Sequence, residues 1–309
     1  MSLTSIIIQQ SVIMFILILA GILCYKTKIV TKDGSKEISA LLLNIINPVI
    51  LVSSFQKDLD SKLLKNLAVT AVSSVAVLVI SIIFTEIIFL KSKHKPDISI
   101  EKFSCIYSNC AFMGIPLVNA LFGSEGVFYL TVFIAIFNLF VWTHGVILIS
   151  GEKNISSVRK AVVSPSFIAI AAGFLTFIFQ IKFPETINLA FKYISDVNTP
   201  LAMIAAGITI AQADVKKALK KPAVYLICAV RLIIIPLILI MIMKPLPFDS
   251  TVIMTVLVAA STPCAAICTL FSIQYDKNSL YASEIFTIST IISIFTLPLM
   301  LIVFQSIPF

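Results

Sequence analysis

Long apolar stretches separated by short polar connections make up almost the whole chain. A helix needs about 20 mainly apolar residues to span a bilayer, and the hydropathy pattern divides into ten such stretches. The predicted spans, numbered 1 to 10, are residues 6–25, 38–55, 67–90, 103–123, 126–150, 166–181, 186–212, 223–243, 250–274 and 279–305. The pattern therefore predicts an all-α integral membrane protein with ten transmembrane helices.

Two of the predicted spans are interrupted by helix-breaking residues. Span 4 carries Gly114 and Pro116, and span 9 carries Pro263. Proline has no N–H to donate and its ring crowds the carbonyl four residues back, so we expect the helix to kink or split at Pro116. Interrupted segments at matching places in two halves indicate the substrate site of a transporter.

The two halves of the chain are expected to have opposite orientations in the membrane. Most Lys and Arg residues lie in the odd-numbered loops, so these loops are predicted to be cytoplasmic and both termini extracytoplasmic. Residues 1–150 then form a first five-helix repeat, 151–165 a cytoplasmic link, and 166–309 a second, inverted five-helix repeat. Pro48 and Pro200 support this arrangement because they occupy the corresponding spans 2 and 7.

Composition agrees with this reading and excludes several classes of function. The chain is 59% hydrophobic and only 12% charged, with a mean hydropathy of +1.07. Its net charge of +8 does not indicate nucleic acid, because the lysines are confined to loops at a membrane surface. The six cysteines lack framework spacing and read as buried small apolar residues. We expect no metal, no cofactor and, without a phosphate-binding loop, no direct use of ATP.

Small polar residues beside the interruptions are the candidate substrate ligands. Half-helix N-termini carry partial positive charge, which favours a carboxylate. The candidates near the two interruptions are Asn109, Gly114, Pro116, Asn119, Ser261, Thr262 and Pro263. The alternative for the polar ones is that they only join helices, where each hydrogen bond contributes about 0.6 to 2 kcal/mol. Asn47 and Asn198 precede Pro48 and Pro200, and for them kink support and substrate contact both stay open.

Ionisable residues inside spans are the remaining candidates. Arg231 is the only arginine within a predicted span, and such a charge costs about 2.5 to 3.5 kcal/mol at a helix centre. It therefore needs a partner, for which Glu284 and a substrate carboxylate are the two options. A permanent structural ion pair is the competing interpretation. Glu284 and His144 are candidates for ion coupling, with a satisfied interior histidine as the alternative for His144.

Several segments resemble the auxin efflux carrier family, which includes the plant PIN auxin exporters and bacterial permeases associated with malate or malonate. The segments that carry this resemblance, in chain order, are LNIINPVILVSSF, SNCAFMGIPLVNALFG, FNLFVWTHGVILISG, TPLAMIAAGITIAQAD, VRLIIIP and ASTPCAAICTLFSIQYDKNSLYASEIFTIST. They are spread over essentially the whole chain in family order. No single one of them would be specific enough by itself.

The resemblance implies a fold and a site. Ten helices would form two inverted five-helix repeats, with helices 1, 2, 6 and 7 as a scaffold and helices 3–5 and 8–10 as a mobile transport domain. Broken helices 4 and 9 would cross at the membrane middle, and Asn109 would match the family's substrate-contacting asparagine. Span 3 lacks the internal acidic and basic pair of the plant members, and the link at 151–165 is short. Both differences argue against auxin itself and give no support to proton coupling.

The expected function is secondary transport of a small organic anion, such as malate, malonate or an auxin-like acid, by an elevator-type movement. The expected partners are this anion, the lipid bilayer of the cell membrane and a second copy of the chain in a homodimer. A sodium-coupled symporter of the bile-acid type and a membrane sensor that binds without transport are the alternatives. An intramembrane enzyme is less favoured because clustered His, Asp or Glu residues are lacking.

Overall fold

The computed structural model describes residues 3–92, 95–151 and 163–307. Within these ranges the regular structure is helical, with a single isolated antiparallel bridge and no strand. Most of the predicted cytoplasmic link, residues 151–165, lies outside the described residues. The prediction of an all-α protein is confirmed for the part of the chain that the structure describes.

The described ranges contain eleven helices of eight residues or more, and seven of them are long and apolar enough to cross a membrane. The helices are α1 (Leu3–Lys26), α2 (Lys32–Ser54), α3 (Ser61–Ile88), α4 (Ile98–Ile106), α5 (Cys110–Ser150), α6 (Pro165–Ile178), α7 (Glu185–Gln212), α8 (Pro222–Met243), α9 (Ser250–Ser261), α10 (Ile267–Gln274) and α11 (Ser279–Ser306). The seven long ones are α1, α2, α3, α5, α7, α8 and α11. The chain therefore has the helices of a multi-pass membrane protein.

The difference between seven long helices and ten predicted spans has local causes. Predicted spans 4 and 9 are each divided by a break, and α6 in span 6 has only 14 residues. Spans 4 and 5 share the 41-residue α5, in which Gly123 leaves the helical conformation with φ 59° and ψ −150°. The arrangement of ten spans in two inverted repeats stays a prediction.

The break in span 4 does not lie at Pro116, so this part of the prediction is wrong. Helix α4 ends at Ile106, Tyr107 is extended with ψ 127°, and α5 begins at Cys110. Pro116 lies in the first α-helical turn after a π-helical turn, Cys110–Gly114. The wider π-turn relieves the clash between a proline ring and the preceding carbonyls, so the helix continues through Pro116.

A π-turn also precedes two other prolines. The π-turn Leu42–Ile46 precedes Pro48 in α2, and the π-turn Val230–Ile234 precedes Pro236 in α8. In each case the proline follows the π-turn by two residues. A proline within a predicted span therefore does not by itself mark a broken helix, because a widened turn can accommodate it.

The predicted break in span 9 is confirmed at Pro263. Helix α9 ends at Ser261, Thr262 is extended with ψ 155°, and α10 begins at Ile267. Pro263 lies inside the non-helical segment, where its missing N–H costs no helical hydrogen bond. Two helices of this protein are thus interrupted by short extended segments.

Helices α1 and α7 pack backbone to backbone. A Cβ atom on Gly21 would overlap the backbone of Ile204, and one on Gly207 would overlap the backbone of Ile18. Small residues allow this close approach in membrane helices, where van der Waals contact replaces the hydrophobic effect as the driving force. The two glycines therefore fix the distance between the first and the seventh helix.

An exposed apolar face on α1 indicates contact with lipid. Its large apolar side chains are 40–61% exposed and recur every three or four residues, at Ile8, Val12, Phe15, Ile16, Leu19 and Leu23. This spacing places them on one face of the helix. Such a continuous apolar stripe is unfavourable in water and expected against acyl chains.

Helix α9 starts at a capped and paired carboxylate. Asp249 accepts a hydrogen bond of 2.9 Å from the Thr251 backbone N–H and lies 3.1 Å from Lys62 Nζ. Partial burial raises the pKa of Asp249, but Lys62 and the Thr251 amide outweigh it and hold this pKa below its usual range. The loop before α9 is therefore tied to the start of α3.

Candidate functional site

The two extended breaks bind each other through their backbones. The Asn109 backbone N–H donates to the Pro263 carbonyl at 2.8 Å, and the Ala265 backbone N–H donates to the Tyr107 carbonyl at 3.0 Å. Ser108 and Cys264 form the antiparallel bridge between these two bonds. Non-helical backbone is tolerated at membrane depth only where protein or a water-filled cavity satisfies it. Each break supplies that protein partner for the other.

The joined breaks bring four helix ends together. Helices α4 and α9 end there, so their C-termini carry partial negative charge, while α5 and α10 begin there with partial positive charge. The first backbone N–H groups of a helix have no partner inside that helix. An anion is favoured at the two starts, provided that the two negative ends are neutralised by another group.

Arg231 neutralises both negative ends. Its side chain is 1% exposed, and its NH1 group donates to the Ile106 carbonyl at 3.0 Å at the end of α4. Its NH2 group donates to the Ala260 carbonyl near the end of α9. Longer contacts of 3.4 Å reach the carbonyls of Cys105 and Thr262. The guanidinium group of Arg231 therefore uses its donors on the C-terminal ends of both α4 and α9.

Glu284 has a different partner from the one expected. Its carboxylate lies 2.5 Å from the Nζ atom of Lys221, and within the described residues no ion pair joins it to Arg231. Lys221 also lies over the Tyr281 ring, and the Tyr281 hydroxyl donates to Glu101 at 3.1 Å. The hypothesis that Glu284 pairs with Arg231 is therefore wrong. Arg231 finds its partners in carbonyl oxygens, which the sequence does not mark.

Asn109 offers an unused amide at the joined breaks. Its side chain is 7% exposed and makes no hydrogen bond within the described part of the chain. The Ser261 hydroxyl is buried and likewise has no partner among the described residues, whereas the Thr262 hydroxyl donates to the Ala259 carbonyl at 2.9 Å. Asn109 and Ser261 are therefore the side chains at the breaks whose hydrogen-bonding capacity is still available.

The other candidates divide into buried and exposed positions. Asn47 and Asn198 are each 2% exposed; the Oδ1 atom of Asn47 and both amide atoms of Asn198 lack partners in the ranges that the structure describes. Gly114 and Pro116 are buried at the start of α5. Asn119 is exposed, and the structure does not bring it to the breaks.

Five cysteines gather around the breaks. Cys105, Cys110, Cys264, Cys268 and Cys228 are all buried and free, whereas Cys24 in α1 is partly exposed. Cys105, Cys110 and Cys264 lie close enough to Arg231 to interact electrostatically with it. The Ser104 hydroxyl donates to the Cys268 sulfur at 3.8 Å. Their wide spacing in the chain gave no sign of this proximity.

His144 is attached to one of the breaks through Tyr107. Its Nδ1 atom lies 2.9 Å from the Tyr107 hydroxyl, which also contacts the Phe140 carbonyl at 3.0 Å. Tyr107 is the first extended residue after α4 and its own carbonyl belongs to the backbone bridge. The sequence singled out His144 but not Tyr107, whose role depends on where the helix breaks.

Two broken helices joined at their breaks in a multi-pass membrane protein are typical of membrane transporters. A match to the family described as "Membrane transport protein" covers residues 6–301. The chain therefore belongs to this family of membrane transporters, that of the auxin efflux carriers, and the resemblance seen in the sequence is confirmed.

An uncharacterized transporter from Methanothermobacter thermautotrophicus is similar to part of the chain. The two are 27% identical over 194 residues, which are 62% of this chain and 63% of that protein. The shared region thus spans less than two thirds of that relative's length. This similarity supports a transporter and carries no information on the substrate.

Proposed function

We propose that this protein is a secondary carrier of small organic anions, with carboxylates such as malate or malonate as the substrate class. The observation that carries the proposal is the capping of two helix C-termini by one buried arginine at the joined breaks. Arg231 offsets the negative ends of α4 and α9, and the starts of α5 and α10 are left as the net positive groups. A carboxylate is the natural ligand for such a pair of helix starts.

The side chains at the breaks support the same ligand. The Asn109 amide can donate to a carboxylate oxygen, and the Ser261 hydroxyl is a second available donor. The Oδ1 atom of Asn47 and both amide atoms of Asn198 are buried without partners among the described residues, and leaving such groups unpaired costs about 1 to 3 kcal/mol each. In this proposal they bond the substrate, or water, when the carrier opens.

A closed state of the carrier is consistent with the small size of the cavity next to the start of α5. A cavity of about 20 Å³ lies between α1, α5 and α11 and is lined in part by Ser11, Met113 and Ser293. That volume holds a single water molecule, not an organic acid. The proposed transport cycle therefore requires α1 to separate from α5 and α11. An elevator-type movement of the transport domain, predicted spans 3–5 and 8–10, against the scaffold would produce this separation.

The membrane arrangement completes the proposal. We assign the protein to the cell membrane, with the lysine-rich odd loops in the cytoplasm, both termini outside, two inverted repeats of five spans and a homodimer as the assembly. The protein acts as a carrier in this scheme and not as an enzyme. The distribution of charge supports the proposed orientation, and membership of the family supports the carrier role.

Uptake into proteoliposomes tests the proposal. Purified protein reconstituted with and without a sodium gradient is supplied with labelled malate, malonate and indole acetate, and empty liposomes serve as the control. Saturable uptake of a carboxylate in the absence of sodium supports the proposed carrier. Uptake that requires sodium supports the bile-acid type of symport instead. Binding in a thermal-shift screen without flux for any acid contradicts transport and favours a sensor.

A further inference from the structure

The hydroxyl of Tyr107 fixes which nitrogen of His144 carries a proton. A tyrosine hydroxyl has one proton, and the Phe140 carbonyl, 3.0 Å away, can only accept it. The Tyr107 oxygen then accepts from His144 Nδ1, 2.9 Å away, so Nδ1 must carry a hydrogen. The opposite tautomer would need the same hydroxyl proton for both contacts. The neutral ring is therefore the Nδ1–H form.

This arrangement leaves the Nε2 atom of His144 as a free base. The described residues supply no hydrogen-bond partner to Nε2, and the ring is only partly buried. A proton from water adds to the Nε2 lone pair and produces an imidazolium, without breaking either bond to Tyr107. The site can thus charge and discharge while its geometry is preserved.

The charged groups around His144 are already paired with each other. Glu86 of α3 and Lys102 of α4 are the charged residues that act on the ring. Lys102 Nζ contacts both carboxylate oxygens of Glu86, at 2.6 and 2.8 Å. Tyr107 is the titratable group that contacts the ring directly, and its hydroxyl keeps its proton in the bond to the Phe140 carbonyl. A proton on His144 therefore adds a positive charge, and the nearby Glu86 carboxylate is already paired with Lys102.

The chain of contacts ends at the proposed substrate site. Tyr107 is part of the break in span 4, and its carbonyl holds the Ala265 backbone N–H of the other break at 3.0 Å. Charge on the His144 ring is consequently placed one side chain away from the joined breaks. A positive charge there strengthens the binding of an anion at the helix starts.

We propose that His144 binds the coupling proton of this carrier, at Nε2, and that the protein transports its organic anion together with that proton. This inference rests on the proposed function, because it names the coupling ion of the same site. The proton is taken from water on one side of the membrane and released from Nε2 to water on the other.

Nuclear magnetic resonance of ring-labelled histidine tests the proton site without any transport measurement. The chain has two histidines, so a His94→Gln background leaves His144 as the only signal. We expect the Nδ1–H tautomer in the neutral protein and progressive conversion to imidazolium as the pH is lowered from about 8 to about 4. Tyr107→Phe should increase the Nε2–H form. A neutral Nε2–H ring, or a ring that takes no proton in this range, overturns the proposal.

The pH dependence of uptake tests the coupling. Wild-type uptake of labelled malate or malonate should rise on acidification by up to about tenfold per pH unit, the limit for one proton. His144→Gln should flatten this profile, while His94→Gln keeps it. An unchanged profile in His144→Gln overturns the coupling role. Absence of any wild-type uptake contradicts the proposed function and the coupling, and the resonance experiment still decides the proton site.

Discussion

Replacing Arg231 by methionine removes the clamp on both half-helices with little change in side-chain volume. The substitution deletes the contacts to the Ile106 and Ala260 carbonyls, each a charge-assisted hydrogen bond. Such bonds contribute about 1.5 to 3 kcal/mol each, whereas the two contacts at 3.4 Å add little. Hydrogen bonds inside membranes average nearer 0.6 kcal/mol. Between these limits we expect a loss of about 3 kcal/mol.

The free energy of unfolding in mixed detergent micelles measures this loss. Arg231→Lys should recover less than half of it, because a lysine ammonium is a single donor atom that cannot contact both helix ends. Leu226→Met on the exposed face of the same helix serves as the matched control and should be near neutral. A value for Arg231→Met within about 0.5 kcal/mol of wild type would refute the clamp.

Three further predictions concern positions outside the breaks. Gly207→Val should lower the unfolding temperature by several degrees, because its side chain has no room against α1; wild-type stability would contradict the close packing. Lys221→Met should destabilise the protein by leaving the buried Glu284 carboxylate unpaired, and Glu284→Gln in the same chain should restore much of the loss if the pair is the cause. Because the pKa of Asp249 is held low, its stabilising effect is full above about pH 4 and is lost as pH falls further. Asp249→Asn should remove that part of the acid sensitivity in thermal unfolding curves recorded against pH.

The prolines illustrate how much of the fold could be predicted from the sequence. Apolar length correctly predicted an all-α membrane protein, and Pro263 marked a true break. Pro116 did not, because a π-turn before it absorbs the proline ring and the helix breaks earlier, at 107–109. The ring and the missing N–H of a proline predict that the regular helix changes at that position. They do not predict whether the change is a break or a wider π-turn.

The kinds of side chain in the candidate site could be predicted from the sequence better than the contacts that they make. Asn109 and Arg231 stood out because a polar amide and a buried charge are unusual inside apolar spans. The partners of Arg231 are main-chain carbonyls, which every residue has, so no pattern of side chains could reveal them. Tyr107 was missed for a related reason, since an aromatic residue in an apolar span looks like core until its hydroxyl is placed beside His144.

Uptake by a single charged variant tests whether a carboxylate is carried at the joined breaks. Asn109→Asp keeps the shape of the side chain but sets a negative charge against the anion, and Asn119→Asp places the same change at an exposed position. Like charges brought together cost several kcal/mol. We expect Asn109→Asp to lower the specificity constant for labelled malate or malonate at least about tenfold, which is about 1.4 kcal/mol, and Asn119→Asp to leave it near wild type. Equal uptake by Asn109→Asp and wild type would contradict transport of a carboxylate at the joined breaks.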